Sequence, residues 1–248
     1  MDKKKRITLI VLTVLLAFVV MNVSGFAIYL SVFYHADEAV LPYLESDDVV
    51  EARYVESEDY YLFKPKNIES KAALIFYPGA KVEYISYAYL MHEYAKMGIT
   101  CMVCHMAGNM AFLEINAADG IQEQFPEIET WVIGGHSLGG AMASKYLSKH
   151  SSEYDGIIFY GSYPNADLSG LDIKCVSIYG SEDTVTNRKH FEDNKKNLPK
   201  NTVIHVIEGG NHAQFGMYGE QGKDSAAKIT VEEQVAETIA VTAQVFNL

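Results

Sequence analysis

Between residues 72 and 207 the chain repeats one rhythm: a short apolar run, a turn, then a stretch with helical spacing. The runs span 72–77, 99–104, 130–133, 156–160, 173–179 and 202–207. Runs that are apolar throughout, not alternating, belong to strands covered on both faces. Strands that alternate with helices need crossover connections, which makes the sheet mainly parallel with helices on both faces. The spacing predicts helices over 84–97, 110–125, 138–150, 187–197 and 230–246. Two earlier strands, 49–55 and 60–64, flank the acidic turn 56–59.

In such sheets chemistry collects at the carboxyl ends of the strands. The segments that follow the strands are Pro78-Gly79-Ala80-Lys81, Gly134-Gly135-His136-Ser137-Leu138-Gly139-Gly140, Gly180-Ser181-Glu182-Asp183 and Gly209-Gly210-Asn211-His212. Gly135-His136-Ser137-Leu138-Gly139 matches G-x-S-x-G between an apolar strand and a helix, the context a nucleophile elbow needs. The glycines leave room for neighbouring backbone. The helix that starts at Leu138 aims its positive end at the site, which favours an oxyanion.

A serine hydroxyl is a weak nucleophile and needs a base. In sheets that carry this elbow the partners follow in the order Ser, acid, His. Of the eight histidines, four follow Ser137: His150, His190, His205 and His212. His150 ends a helix, His190 lies inside one and His205 lies within a strand. His212 alone sits in a flexible loop after a strand, so it is the expected base. Asp183, after the preceding strand, is the expected acid that orients it, and Glu182 is its nearest rival. The expected oxyanion hole combines the N–H of Leu138 with that of Ala80, Lys81 being the next choice. Lys81, His136, Asn109, Met110, Gln214 and Phe215 are candidate pocket residues. No metal-ligand spacing and no cofactor motif is present in the sequence.

These segments resemble the α/β-hydrolase superfamily. More narrowly, they are similar to its small bacterial branch called α/β-hydrolase family 5, related to the dienelactone hydrolases. The residues that carry the resemblance are Tyr77-Pro78-Gly79-Ala80-Lys81-Val82, Met106-Ala107-Gly108-Asn109-Met110-Ala111-Phe112, the Ser137 elbow through Gly140, Gly180-Ser181-Glu182-Asp183, Gly209-Gly210-Asn211-His212-Ala213-Gln214-Phe215-Gly216, and Tyr218-Gly219-Glu220-Gln221-Gly222-Lys223-Asp224. The resemblance covers roughly 49–246 and implies a serine hydrolase acting on an ester-type bond. Dienelactone hydrolases use a cysteine nucleophile where this chain has Ser137, so their substrate is not implied. Pro78 stands where many relatives have histidine, which leaves the second oxyanion donor open. An acyltransferase with the same triad and a non-catalytic cell-surface binding protein are the alternatives. Only 12 residues, 161–172, separate the fourth and fifth crossover strands, where many hydrolases insert a cap. The expectation is an open, shallow site for small or extended esters.

Residues 7–34 contain no charged side chain. As a helix they reach about 42 Å, against a hydrocarbon core of roughly 30 Å. The preceding Lys-Lys-Lys-Arg belongs on the cytoplasmic side. The expected organisation is therefore a basic cytoplasmic tip (1–6), a transmembrane signal-anchor (7–34), a linker (35–48) and an extracytoplasmic hydrolase domain (49–248). A cleaved signal peptide and a secreted domain are the alternative. The formal net charge is −12. Beyond residue 36 the chain holds 16 of the 20 basic and 31 of the 32 acidic side chains, which argues against nucleic acid as a partner. Cys101 and Cys104 form a C-x-x-C inside a strand, where residues three apart face opposite ways. They read as core thiols rather than a redox pair.

Overall fold

The computed structural model describes residues 2–247. Met1 and Leu248, the outer ends of the expected tip and of the expected hydrolase domain, lie outside the described residues. The chain divides into two units, Met1–Phe33 and Tyr34–Leu248. The first holds a single helix, α1 (Lys3–Ser31), of 29 residues. Its most apolar window has a mean hydropathy of 2.6, so by length and composition it is long and apolar enough to cross a membrane.

The second unit is built on an eight-stranded sheet. Its strands are β1 (Val50–Val55), β2 (Tyr60–Pro65), β3 (Ala72–Tyr77), β4 (Ile99–Cys104), β5 (Thr130–His136), β6 (Gly156–Tyr160), β7 (Lys174–Gly180) and β8 (Val203–Ile207). They lie in the order β1-β2-β4-β3-β5-β6-β7-β8. The hairpin β1–β2 is antiparallel, and β2 meets β4 antiparallel. The other six strands run parallel. The order reverses between β3 and its two neighbours, β4 and β5. That reversal opens a crevice at the carboxyl ends of the strands.

Alternate residues of each strand enter opposite core layers. Leu74, Phe76, Val103, Val132, Ile158 and Tyr160 pack with helices α2 (Ala88–Lys96) and α5 (Val231–Phe246). Ile75, Tyr77, Met102, Ile133, Ile157 and Phe159 pack with α3 (Leu138–Leu147). A short helix, α4 (Arg188–Asn194), follows β7 and sets Phe191 against Tyr179. Cys101 lies in the first layer and Cys104 in the second, and both are free thiols. Burial pushes both thiols above their usual range. Residues 161–172 contain no helix, so no large cap interrupts the fold there.

Two expectations differ from the structure. Residues 110–125 form no α-helix, only isolated 3-10 turns at Ala111–Leu113 and Gln122–Gln124. The buried Tyr77 hydroxyl donates to the Ile115 carbonyl at 2.7 Å and accepts the Ala118 N–H at 3.1 Å. It takes up two backbone groups that an α-helix would have paired along its own ladder. The apolar spacing of Ala111, Ala118, Ile121 and Phe125 instead covers the sheet. Residues 35–48, expected to be a linker, pack into the second unit. Asp37 caps a 3-10 helix at Glu38–Leu44 in which Val40 is fully buried. Ser46 Oγ accepts the Ala52 N–H and donates to the Ala52 carbonyl, which ties this stretch to β1.

Candidate active site

Ser137 stands between β5 and α3 with φ 52° and ψ −121°. This left-handed backbone is strained for a residue with a side chain, and such strain persists only where the surroundings over-determine it. Here they do. Ser137 N–H donates to the Tyr160 carbonyl at 2.9 Å, and its carbonyl accepts the Ser162 hydroxyl at 2.6 Å. The turn also brings α3 hard against β3: a Cβ on Gly139 would lie 2.0 Å from the Tyr77 carbonyl oxygen. Only glycine fits there.

Asp183 follows β7 and His212 follows β8, and both are almost fully buried. Asp183 Oδ2 lies 2.9 Å from His212 Nδ1. The same oxygen accepts the Thr186 hydroxyl at 2.6 Å, while Oδ1 accepts the N–H groups of Val185 and Thr186 at 2.9 and 2.8 Å. Burial alone would raise the Asp183 pKa. The hydrogen bond and charge of His212, with the Thr186 donors, overcome it and hold the carboxyl at about 2. The carboxylate fixes the proton on His212 Nδ1, which leaves Nε2 as the basic nitrogen. Nε2 is buried and has no hydrogen-bond partner among the described residues. Gly161 passes so close that a Cβ would lie 2.8 Å from His212 Nδ1.

The oxyanion candidates differ in availability. Leu138 opens α3, so its N–H has no acceptor within the helix. Lys81 N–H donates to the Asn109 carbonyl at 2.8 Å and is already engaged. Among the described residues the N–H of Ala80, one residue earlier in the same turn, has no acceptor, so it is the more available of the two.

His136 is fully buried, with its ring 4.4 Å from that of His212. Tyr87 joins it to the loop after β3. The Tyr87 hydroxyl accepts the Gly79 N–H at 2.9 Å and shares a hydrogen bond with His136 Nδ1 at 2.8 Å. Burial, reinforced by the neighbouring His212 imidazole, pushes the His136 imidazole well below its usual range. His136 therefore stays neutral beside its neighbour.

The cavity beside Ser137 has a volume of about 350 Å³. Leu138, Ala141, Ser162, Tyr163, Val185 and Asn187 are among its walls. None of the six expected pocket residues lines it. His136 and Phe215 are buried behind the site, where Phe215 packs on Tyr160. Lys81 and Asn109 hold each other in the loop after β3, and Met110 is buried next to them. Gln214 donates to the Ile229 carbonyl and lines a different cavity of about 470 Å³ on the outer side of the His212 loop. The walls of the cavity beside Ser137 come from α3 and from the turns after β6 and β7. Thr186, Tyr87 and Ser162 escaped the sequence reading as well. Thr186 left one clue, since an Asp followed by Thr three residues on is a turn that caps its own carboxylate.

Of the other histidines, His205 lies within β8 and pairs with Glu237 at 2.6 Å, and His150 stacks on Tyr146 and pairs with Glu153. His205 thereby ties β8 to α5, and His150 ties the end of α3 to the 3-10 turn that follows it.

The comparisons with known proteins agree with this architecture. A model described as "Alpha/beta hydrolase family" matches residues 73–236. Among solved structures, a predicted CIB-like hydrolase from Thermoplasma acidophilum is similar with a TM-score of 0.56 and 15% identity, covering 79% of this chain and 98% of that one. Est1E from Butyrivibrio proteoclasticus, with ferulic acid bound, gives 0.59 and 13%, covering 82% and 98%. A dienelactone hydrolase from Anabaena variabilis gives 0.57 and 13%, covering 79% and 97%. No curated protein matches the sequence significantly. This chain belongs to the α/β-hydrolase family.

The low Asp183 pKa makes a stability prediction. The folded carboxyl titrates at about 2, below the unfolded value of roughly 3.9. Its stabilisation is complete above roughly pH 4 and is lost as the pH falls toward 2. Asp183→Asn is therefore expected to be less stable than wild type at neutral pH. The gap should close between about pH 4 and 2 in urea titrations run at a series of pH values.

Proposed function

We propose that the protein is a membrane-anchored serine hydrolase that cleaves small neutral esters through an acyl-enzyme. The observation that carries this reading is the strained Ser137 elbow on the same strand edge as the buried Asp183–His212 pair. Ser137 Oγ attacks the ester carbonyl while His212 Nε2 takes its proton. The Ser137 hydroxyl is not hydrogen-bonded to Nε2 in the free protein, and such contacts tighten when substrate binds. Asp183 stabilises the imidazolium that results. The N–H groups of Ala80 and Leu138 hold the oxyanion. His212 then returns the proton to the departing alcohol oxygen. Water, deprotonated by the same nitrogen, releases the acid and restores Ser137.

The cavity supports a short, uncharged acyl or alcohol group. Its walls are small or neutral, and no charged side chain is among them. The acidic balance of the body gives no long-range attraction to anionic polymers. α1 supports an uncleaved anchor with the basic tip in the cytoplasm and the body outside.

Three measurements test the reading. A fluorophosphonate probe should label the wild type and fail to label Ser137→Ala, whose turnover of p-nitrophenyl acetate should fall about 10³-fold or more. An unlabelled wild type would sink the hydrolase assignment. Across a p-nitrophenyl ester series the rate should peak at short acyl chains; a preference for C12 or longer would refute the small-ester reading. Alkaline carbonate should leave the full-length chain in the membrane pellet. A shortened chain in the medium would establish cleavage instead.

A further inference from the structure

The chain leaves α1 at Ser31 and enters the α/β body at Tyr34. Its first residues there are engaged with two loops of the site. Tyr34 pairs with Val82 in a parallel bridge. Tyr34 N–H donates to the Lys81 carbonyl at 2.7 Å, and Glu83 N–H donates to the Tyr34 carbonyl at 2.9 Å. Ala36 N–H donates to Glu83 Oε2 at 2.9 Å. These contacts grip the turn that carries Ala80. On the other side, Asp37 N–H donates to the Met217 carbonyl at 2.8 Å. The Tyr34 hydroxyl accepts the Gly222 N–H at 3.1 Å, and its ring lies 5.7 Å from that of Tyr218. Met217, Tyr218 and Gly222 belong to the loop that starts at His212.

Lys81 shows why the grip matters. It has φ 58°, a conformation that needs support from its neighbours when a side chain is present. Its N–H is held by Asn109 and its carbonyl by Tyr34. The Tyr34 ring and hydroxyl anchor this backbone grip to Tyr218 and Gly222, and once that anchor is lost the strained turn loosens and the adjacent Ala80 N–H loses its fixed direction. An oxyanion donor acts only within a narrow range of position.

We propose that residues 34–37 are a positioning strap of the catalytic site, fixing the loop of the oxyanion donor against the loop of the base. The inference rests on the roles given above to Ala80 and His212. The strap touches neither substrate nor reacting atoms, so it acts on the rate of the chemical step and not on substrate binding. It also makes the juxtamembrane residues part of the machinery, so a fragment that begins at Asp37 lacks half of the clamp.

The test uses the full-length protein in detergent micelles. Tyr34→Ala should lower kcat for p-nitrophenyl acetate about tenfold while KM changes less than about threefold. Tyr34→Phe, which loses only the link to Gly222, should show a smaller loss in the same parameter. Amide exchange in Tyr34→Ala should accelerate over residues 79–83 and 213–222 and stay unchanged in α3 and α5. Unchanged kcat with unchanged exchange in both variants overturns the strap. A loss of kcat with exchange raised throughout the body also overturns it, because that is general destabilisation. Fluorophosphonate labelling of the wild type separates this proposal from the one it rests on. Without labelling the hydrolase assignment falls, while the exchange pattern still decides whether the strap holds the two loops.

Discussion

The body is organised around one strained residue. A left-handed, non-glycine backbone of the Ser137 kind costs on the order of 1–3 kcal/mol and survives only under compulsion. The compulsion comes from three parallel strands at once. β3 supplies the Tyr77 carbonyl against which Gly139 closes, β5 delivers Ser137, and β6 receives its N–H at Tyr160. Strands of a parallel sheet end together on one edge, so the same arrangement that strains the serine gathers the turns after β6, β7 and β8 around it. Asp183 and His212 belong to two of those turns. The site is therefore a consequence of the sheet and needs no added domain to complete it.

The electrostatics follow a division of labour between two histidines whose rings nearly touch. Asp183 receives four donors, which keeps it ionised although it is buried. That charge is hydrogen-bonded to His212, and its weaker pull on His136 is outweighed by burial. His136 sits just as deep but meets the Tyr87 hydroxyl instead of a carboxylate. A second cation here would oppose an imidazolium on His212. The neutral His136 removes that conflict and fills the space beside His212. It also links the elbow to Gly79 through the Tyr87 hydroxyl, which ties the loop after β3 to the turn that carries Ser137.

Much of this was legible in the sequence, and the reasons are local. Continuous apolar runs marked β3 to β8, and the strand–turn–helix around Gly135-His136-Ser137-Leu138-Gly139 placed the elbow because that turn admits few residue types. Asp183 and His212, which the structure brings within 2.9 Å of each other, each close the turn after a recognisable strand. The walls of the cavity were not legible. Tyr163, Val185 and Asn187 lie in irregular turns, and nothing in their spacing says which of them face Ser137. Gln214 and Phe215 stand out by their nearness to His212 in the chain, but neither lines the cavity beside Ser137. The segment 110–125 was misread because its apolar spacing satisfies a helix and a sheet-covering loop equally. In the structure the Tyr77 hydroxyl, contributed from β3, holds two backbone groups of the irregular loop.

That last case is general in this protein. Irregular loops carry backbone N–H and C=O groups that no ladder pairs, and leaving one buried costs about 1–3 kcal/mol. Here tyrosines answer the problem. Tyr77 serves Ile115 and Ala118, Tyr87 serves Gly79, Tyr34 serves Gly222, and Tyr61 donates to the Leu44 carbonyl at 2.5 Å. A tyrosine suits this task because its ring joins the apolar layer while its hydroxyl reaches past it as donor or acceptor. A helix could satisfy the same groups only by becoming regular, which would close the space around the strand ends. Holding the loops by side chains leaves them irregular yet fixed. That combination is what an uncapped site on an open sheet edge requires. Four of the 17 tyrosines of this chain hold loops in this way, while others, Tyr60, Tyr94 and Tyr160 among them, fill the core.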